Sequence, residues 1–252
     1  MTFGISHLNN APVRRDHDDR SEMVTELIFG DHFEIKDQWR QWYKIKITAD
    51  NYEGWVDQKQ IKLITEEESS SYLGEKDLFL NDLVGYVSDE QQSLTALSSG
   101  ANLKAVPYLG LFYDDHIVYN TKKCNRAELV ETALNYLNAP YLWGGKTPFG
   151  IDCSGLTQMV YRICGYHLYR DASQQVSQGE TLSFIEESQP GDLAFFDNAE
   201  GDIIHVGILM GDHYILHAHG KVRIDRIDHT GIFNHDTKKY SHQLRIIKRI
   251  LD

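Results

Sequence analysis

The stretch GIDCSGLTQMVYRICG, residues 150–165, defines a helix and both of its ends. Leu156, Met159, Val160 and Ile163 recur at the spacing of one helical face. Asp152 is a residue type that caps a helix N-terminus, and Gly165 stands where a left-handed C-terminal cap belongs. Cys153 therefore falls in the first helical turn. There the unsatisfied peptide N–H groups and the helix dipole favour thiolate over thiol, the form a cysteine nucleophile needs. A buried structural cysteine fits the same position, so the helix alone does not decide between them.

A thiol nucleophile requires a base. The segment PGDLAFFDNAEGDIIHVGILMGDHYILHAHG, residues 190–220, offers His205 in one alternating run and His217 and His219 in the next. The two runs read as a hairpin turning at Gly211-Asp212. A two-residue turn there pairs His205 with Ala218 and sends His217 to the opposite face. An odd-length loop or a bulge instead sets His219 opposite His205, with His217 diagonal to it. His213, His217 and His219 also contain a His-x-His pattern that can hold zinc, but no acidic or cysteine companion has suitable spacing. No metal and no cofactor is expected.

Residues 1–65 read as β structure. FEIKDQW and WYKIKIT alternate and are rich in aromatic and β-branched residues, and residues 50–54 form a turn before Trp55-Val56. Short strands so spaced predict a small barrel. EEESSS, residues 66–71, reads as a polar linker. Residues 72–120 form a second strand-rich stretch, with YLGLFYDDHIVYN turning at Asp114-Asp115; a second barrel and a β-rich connector are both compatible with it. Asn125 to Leu137 predicts a helix capped by Asn125 with Glu128 at its third position. Its apolar stripe would be Ala127, Val130, Ala133, Leu134 and Leu137, and Pro140 ends it. A run of strands follows the second helix, giving an α+β domain over residues 125–252.

The formal net charge is −12, which disfavours non-specific binding to nucleic acid or anionic membranes. The first 20 residues hold no apolar signal-peptide core, and no run approaches the roughly 18 apolar residues of a membrane span. Cys153 and Cys164, on one helix, lie about 16 Å apart along its axis, beyond disulfide reach. Reduced thiols in a cytoplasmic protein are expected.

DCSG before an apolar helix, then PGDL-x-FF, HVGI and HA, in that order, resembles the NlpC/P60 family of papain-like cysteine peptidases over about residues 126–252. The resemblance implies a Cys-His-His triad at Cys153, His205 and His217. It also implies an oxyanion-site role for Tyr141 of PYLWGG. The family pattern chooses His217 where the parity of the hairpin slightly favours His219. SEMVTELIFGDHFEI and NYEGWV resemble the bacterial SH3-like modules that precede this domain in enzymes trimming murein peptides.

In that subgroup the resemblance implies cleavage of the bond between γ-D-glutamate and a diamino acid in murein-derived peptides with a free N-terminal L-alanine. Asp152 and Tyr52 would receive the amine, with Glu22 a further candidate, and Ser154, Asp171 and Ser173 would line the pocket. An uncharged N-terminus would then leave Asp152 without a partner. Tyr52 as barrel core and Asp152 as a simple helix cap are the structural alternatives. Another amide hydrolase or acyltransferase of the same superfamily, and a non-catalytic peptide-binding scaffold, are the competing functions.

Overall fold

In the computed structural model, which describes residues 2–113 and 116–251, the alternating N-terminal runs form seven strands. These are β1 (Phe3–Ile5), β2 (Asn10–Arg14), β3 (Met23–Ile28), β4 (His32–Trp39), β5 (Trp42–Ile47), β6 (Glu53–Asp57) and β7 (Lys62–Ile64). They join in one sheet in the order β3-β2-β6-β5-β4-β1-β7. Alternate side chains turn inward, so that Ala11, Val13, Leu27, Phe33, Ile45, Ile47 and Val56 share a core, against which Tyr52 packs. Asn51 makes the turn before β6 with φ of 61°, a left-handed conformation that asparagine tolerates. These strands belong to the first of two units, Met1–Lys122 with Trp143–Pro148.

The EEESSS segment is not a linker. It opens α1 (Glu66–Gly74), because the Glu68 N–H donates to Thr65 Oγ1 at 3.1 Å and the Thr65 N–H donates to Glu68 Oε2 at 2.7 Å. Three glutamates in the first turn suit the positive end of the helix. Buried Tyr72 ties α1 down by donating its hydroxyl to the Gly30 carbonyl.

Residues 72–120 are built of short strands and short helical segments among the described residues. They hold β8 (Phe79–Leu80), β9 (Val84–Ser88), β10 (Leu94–Ser98), the short α2 (Val106–Leu109) and β11 (Tyr119–Asn120). Among the described residues β9 pairs with β10 and β8 with β11, and isolated bridges join Phe79 to Asn102 and Ser88 to Phe112. Pro107 near the start of α2 and left-handed Gly110 at its end turn helical a stretch expected to be strand. The turn expected at Asp114-Asp115 lies outside the described residues. In Trp143–Pro148, buried Lys146 of β12 (Lys146–Thr147) stands 3.5 Å from the Asp31 carboxylate, and its N–H donates to Glu26 at 2.7 Å.

The second unit comprises Lys123–Leu142 and Phe149–Asp252. Asn125 caps α3 (Arg126–Leu134) reciprocally with Glu128, as its sequence predicts. The buried face differs from the expected stripe. Leu129, Thr132, Ala133 and Tyr136 turn inward, whereas Ala127, Leu134 and Leu137 are exposed. A left-handed Asn138 follows the helix before Pro140 is reached.

After β13 (Gly150–Ile151) come α4 (Cys153–Ile163) and α5 (Ala172–Gln175). The strands follow: β14 (Glu180–Leu182), β15 (Leu193–Asp197), β16 (Ile203–Gly211), β17 (Tyr214–His219), β18 (Lys221–Ile227), β19 (Gly231–Asn234) and β20 (Lys239–Arg249). Their order is β14-β20-β15-β16-β17-β18-β19, and β19 pairs again with β20, so β15 to β20 close into a ring. Ala194, Phe196, Leu209, Ile215, Ile227, Ile232 and Ile247 form one core of this ring. Helix α4 packs against β16 and β17, which brings Cys153 to the strands that carry the candidate histidines.

None of the three cysteines is in a disulfide. Sequence spacing did not reveal that Cys124 reaches Cys164. The Cys164 thiol donates to the Cys124 sulfur, and this hydrogen bond together with burial raises Cys164 well above its ordinary pKa. No helix among the described residues is long and apolar enough to cross a membrane.

Candidate active site

Cys153 opens α4, and Asp152 caps it by accepting from the Gly155 N–H at 2.6 Å. The thiol is buried. Burial and the neighbouring Asp152 carboxylate push it up to about 12, against the opposing pull of the Val206 and Ser154 peptides and of Arg170. The thiolate preference expected from a helix N-terminus is thus outweighed by desolvation, and the resting group is the thiol. The Val206 peptide hydrogen bond also locates the sulfur beside β16, one residue from His205.

The histidine pair depends on a bulge. Ile208 faces Leu216 and Leu209 faces Ile215, but Gly211 faces Tyr214, so Met210 is the extra residue. The turn is at Asp212 and His213, both with positive φ, rather than at Gly211-Asp212. Continued, this register sets residue 219 opposite 205 and residue 217 diagonal to it on the same face. Gly207 makes the close approach possible, since a Cβ there would lie 3.0 Å from the His217 Cβ. His205 Nε2 stands 2.9 Å from His217 Nδ1. His217, and not the exposed His219, is therefore the histidine bonded to His205.

The relay continues to a residue that the motifs did not reveal. His217 Nε2 lies 3.1 Å from Asp225 Oδ2, and the Arg223 guanidinium donates to the same carboxylate at 2.6 and 2.9 Å. Burial raises the Asp225 pKa, but the hydrogen bonds from His217 and Arg223 prevail and hold it at about 2. An ionised carboxylate can only accept, which fixes the tautomers by inference. His217 carries its proton on Nε2 and accepts on Nδ1. His205 then donates from Nε2 and keeps the lone pair of Nδ1. Pairing in β17–β18 puts His217 opposite Arg223 and Ile215 opposite Asp225, so strand alternation from His217 leads to Asp225.

Burial, and next the neighbouring histidines, lower His205 well below 6.5; burial lowers His217 too, against the pull of Asp225. An imidazole is neutral above its own pKa, so His205 can serve as a base through pH 6.5 and loses that capacity only on further acidification. In a pH profile of kcat/KM the acid limb is expected below 6.5. A limb at or above 6.5 would contradict this environment.

A third histidine, also absent from the sequence reading, stacks on His205. The His242 ring lies 4.1 Å from the His205 ring, centre to centre, at 19°. Its place on β20 depends on Gly231, whose φ is 147°; a Cβ there would overlap the His242 carbonyl oxygen. One nitrogen from each of His205, His217 and His242 falls within 4.8 Å of the others. The trio suggested by spacing, His213, His217 and His219, is not assembled among the described residues.

Asp152 is not a lone carboxylate. The buried Arg170 guanidinium grips it at 2.6 and 3.0 Å and also donates to Ser154 Oγ at 2.9 Å. An uncharged substrate end therefore does not leave Asp152 without a partner, contrary to the sequence-based expectation. Breaking this pair with Arg170→Leu is expected to cost about 3–5 kcal/mol in urea unfolding, because a buried charge is stranded. A loss below about 1 kcal/mol would show that water reaches Asp152 readily.

Tyr141 is at the exposed edge of the site, and its N–H donates to the Gly220 carbonyl at 3.1 Å. Burial, with Cys153 and Asp152 nearby, pushes its hydroxyl up to about 12, so it remains a donor. Asp171 precedes α5, its N–H donating to Gln174 at 3.1 Å, and Ser173 is exposed. In the first unit, Tyr52 lies against the barrel core, while Glu22 accepts from Trp143 Nε1 at 2.8 Å and pairs with Arg15 at 2.7 Å.

Residues 13–61 match the bacterial dipeptidyl-peptidase Sh3 domain, and residues 138–241 match the NlpC/P60 family. A gamma-D-glutamyl-L-lysine dipeptidyl-peptidase of Bacillus subtilis is 25% identical over 77% of this chain and 71% of its own length. A Bacillus cereus protein of the same description is also 25% identical, over 79% of this chain and 68% of its own length. Dipeptidyl-peptidase 6 of Lysinibacillus sphaericus is 41% identical over 37% of this chain and 32% of its own. The fold is shared with the crystal structure of an NlpC/P60 family protein from Bacillus cereus, at a TM-score of 0.83 and 18% identity over 99% of this chain and 100% of that one. This chain carries an NlpC/P60 domain preceded by a bacterial SH3 domain.

Proposed function

We propose that the chain is a cysteine peptidase that hydrolyses the bond between γ-D-glutamate and a diamino acid in murein peptides with a free N-terminal L-alanine. The observation that carries the reading is the Asp225–His217–His205 relay, which leaves a lone pair on His205 Nδ1 next to the strand peptide that hydrogen-bonds Cys153. In this mechanism the Cys153 thiol gives its proton to His205 Nδ1 as sulfur attacks the scissile carbonyl. The Cys153 N–H and the Tyr141 hydroxyl donate to the oxyanion. His205 then returns the proton to the leaving amine, and water hydrolyses the thioester. A thiol held up to about 12 and an imidazole held well below 6.5 suit proton transfer during attack rather than a resting ion pair.

The bond assignment is supported by the two relatives described as gamma-D-glutamyl-L-lysine dipeptidyl-peptidases, which align along most of this chain. The presence of both Cys153 and His205, with Cys153 hydrogen-bonded by the Val206 peptide next along β16, favours a catalyst over a binding scaffold. Recognition of the amine by Asp152 has to be shared with Arg170, so its contribution is smaller than that of an unpaired carboxylate. N-acetylating L-Ala-γ-D-Glu-L-Lys is expected to lower kcat/KM about five- to tenfold, as loss of one charge-assisted contact does. Equal cleavage of both peptides would remove the amine requirement.

A further inference from the structure

We propose that His205, His217 and His242 form a binding site for a late first-row divalent cation such as Zn²⁺, and that its occupancy stops the catalytic relay. The site rests only on the three imidazoles; its inhibitory consequence rests on the peptidase reading above. Zinc accepts three histidine nitrogens at about 2.0–2.1 Å and leaves a fourth position for water. Two nitrogens on one tetrahedral zinc stand about 3.3 Å apart. Here all three candidate atoms already lie within 4.8 Å of one another, and those of His205 and His217 are 2.9 Å apart. The site thus needs small shifts and no rearrangement of the strands.

The surroundings match what a zinc histidine requires. His217 would bind through Nδ1 while its Nε2–H remains on the Asp225 carboxylate, 3.1 Å away, a carboxylate–histidine–metal arrangement that fixes tautomer and orientation. His242 is stacked flat on His205, so its ring must turn to aim a lone pair at the metal. It is only half-buried and borders an open cleft lined by His229, Thr230 and Gln243, which supplies both room and an entry path. A site of three imidazoles favours zinc, copper or nickel over magnesium and calcium, which take oxygen ligands.

Inhibition follows from the tautomer. A metal on His205 Nε2 replaces the proton now donated to His217. His205 must then carry its proton on Nδ1, the atom that has to accept from Cys153. No proton leaves the ring, yet the base is gone.

The test uses the full, tag-free chain with Cys153→Ala, so that metal binding is read without turnover and without a thiol ligand. Calorimetric titration with Zn²⁺ is expected to give one ion per chain at micromolar affinity or tighter, and Co²⁺ to give the intense visible bands of a tetrahedral site. Adding His242→Gln should weaken Zn²⁺ at least about tenfold, whereas His219→Gln should leave the affinity unchanged. No binding by the Cys153→Ala chain overturns the site, as does affinity that falls with His219→Gln but not with His242→Gln. In the unmutated chain Zn²⁺ should stop peptide hydrolysis and EDTA restore it. A chain that binds Zn²⁺ but never cleaves peptide would refute the peptidase reading and leave the metal site standing.

Discussion

Cys153→Ala is expected to lower peptide hydrolysis by about 10⁴-fold or more, as removal of a nucleophile does. The sulfur is the only protein atom that bonds to the substrate's carbonyl carbon in the proposed mechanism. Alanine at this position keeps the first turn of α4 intact, because the cap is made by the Asp152 side chain and the Gly155 N–H, not by the thiol. Thermal unfolding should therefore change little while kcat collapses, and this separates chemistry from folding. Because burial pushes the thiol up to about 12, alkylation of Cys153 by iodoacetamide should be slow at mildly acidic pH and accelerate as pH rises. Retained turnover in the alanine variant would end the thiol mechanism.

His205→Ala should cost roughly 10²–10⁴-fold in kcat, the range for loss of a general base. His217→Ala should cost less, since it orients the base and sets its tautomer without receiving the thiol proton. His219→Ala should cost least, because no hydrogen bond joins it to His205 among the described residues. Asp225→Asn provides a sharper comparison. An amide there can donate to His217 Nε2 and move the His217 proton to Nδ1, which turns away the His205 donor. Its kcat loss should equal or exceed that of His217→Ala although the shape of the side chain hardly changes. An Asp225→Asn enzyme with normal kcat would show that the tautomer does not matter.

The helix at Cys153 was legible because both of its ends are local: a capping aspartate, a closing glycine and an apolar face between them. The histidine strands were legible from alternation, but their register was not. It is set by a bulge at Met210, a turn of positive-φ residues and a glycine at 207 that admits His217, and no motif encodes that combination. Asp225 could have been reached by counting alternation across the β17–β18 hairpin. His242 could not, because it comes from β20, which reaches His205 by pairing with β15, a strand nearly 50 residues earlier (Phe196 opposite Leu244). Arg170 was missed for the same reason: its partner is 18 residues away, and only the folded loop after α4 buries the two together. The EEESSS segment failed in the opposite direction. Its polar composition suggested a linker, whereas the Thr65–Glu68 capping box was present in the sequence and decides for a helix.

The most direct test of the central claim is mass spectrometry of L-Ala-γ-D-Glu-L-Lys incubated with the chain and, in parallel, with its Cys153→Ala variant. Release of L-Ala-γ-D-Glu and lysine by the first and not by the second is the predicted result. Intact peptide in both, or cleavage between alanine and glutamate, would contradict it.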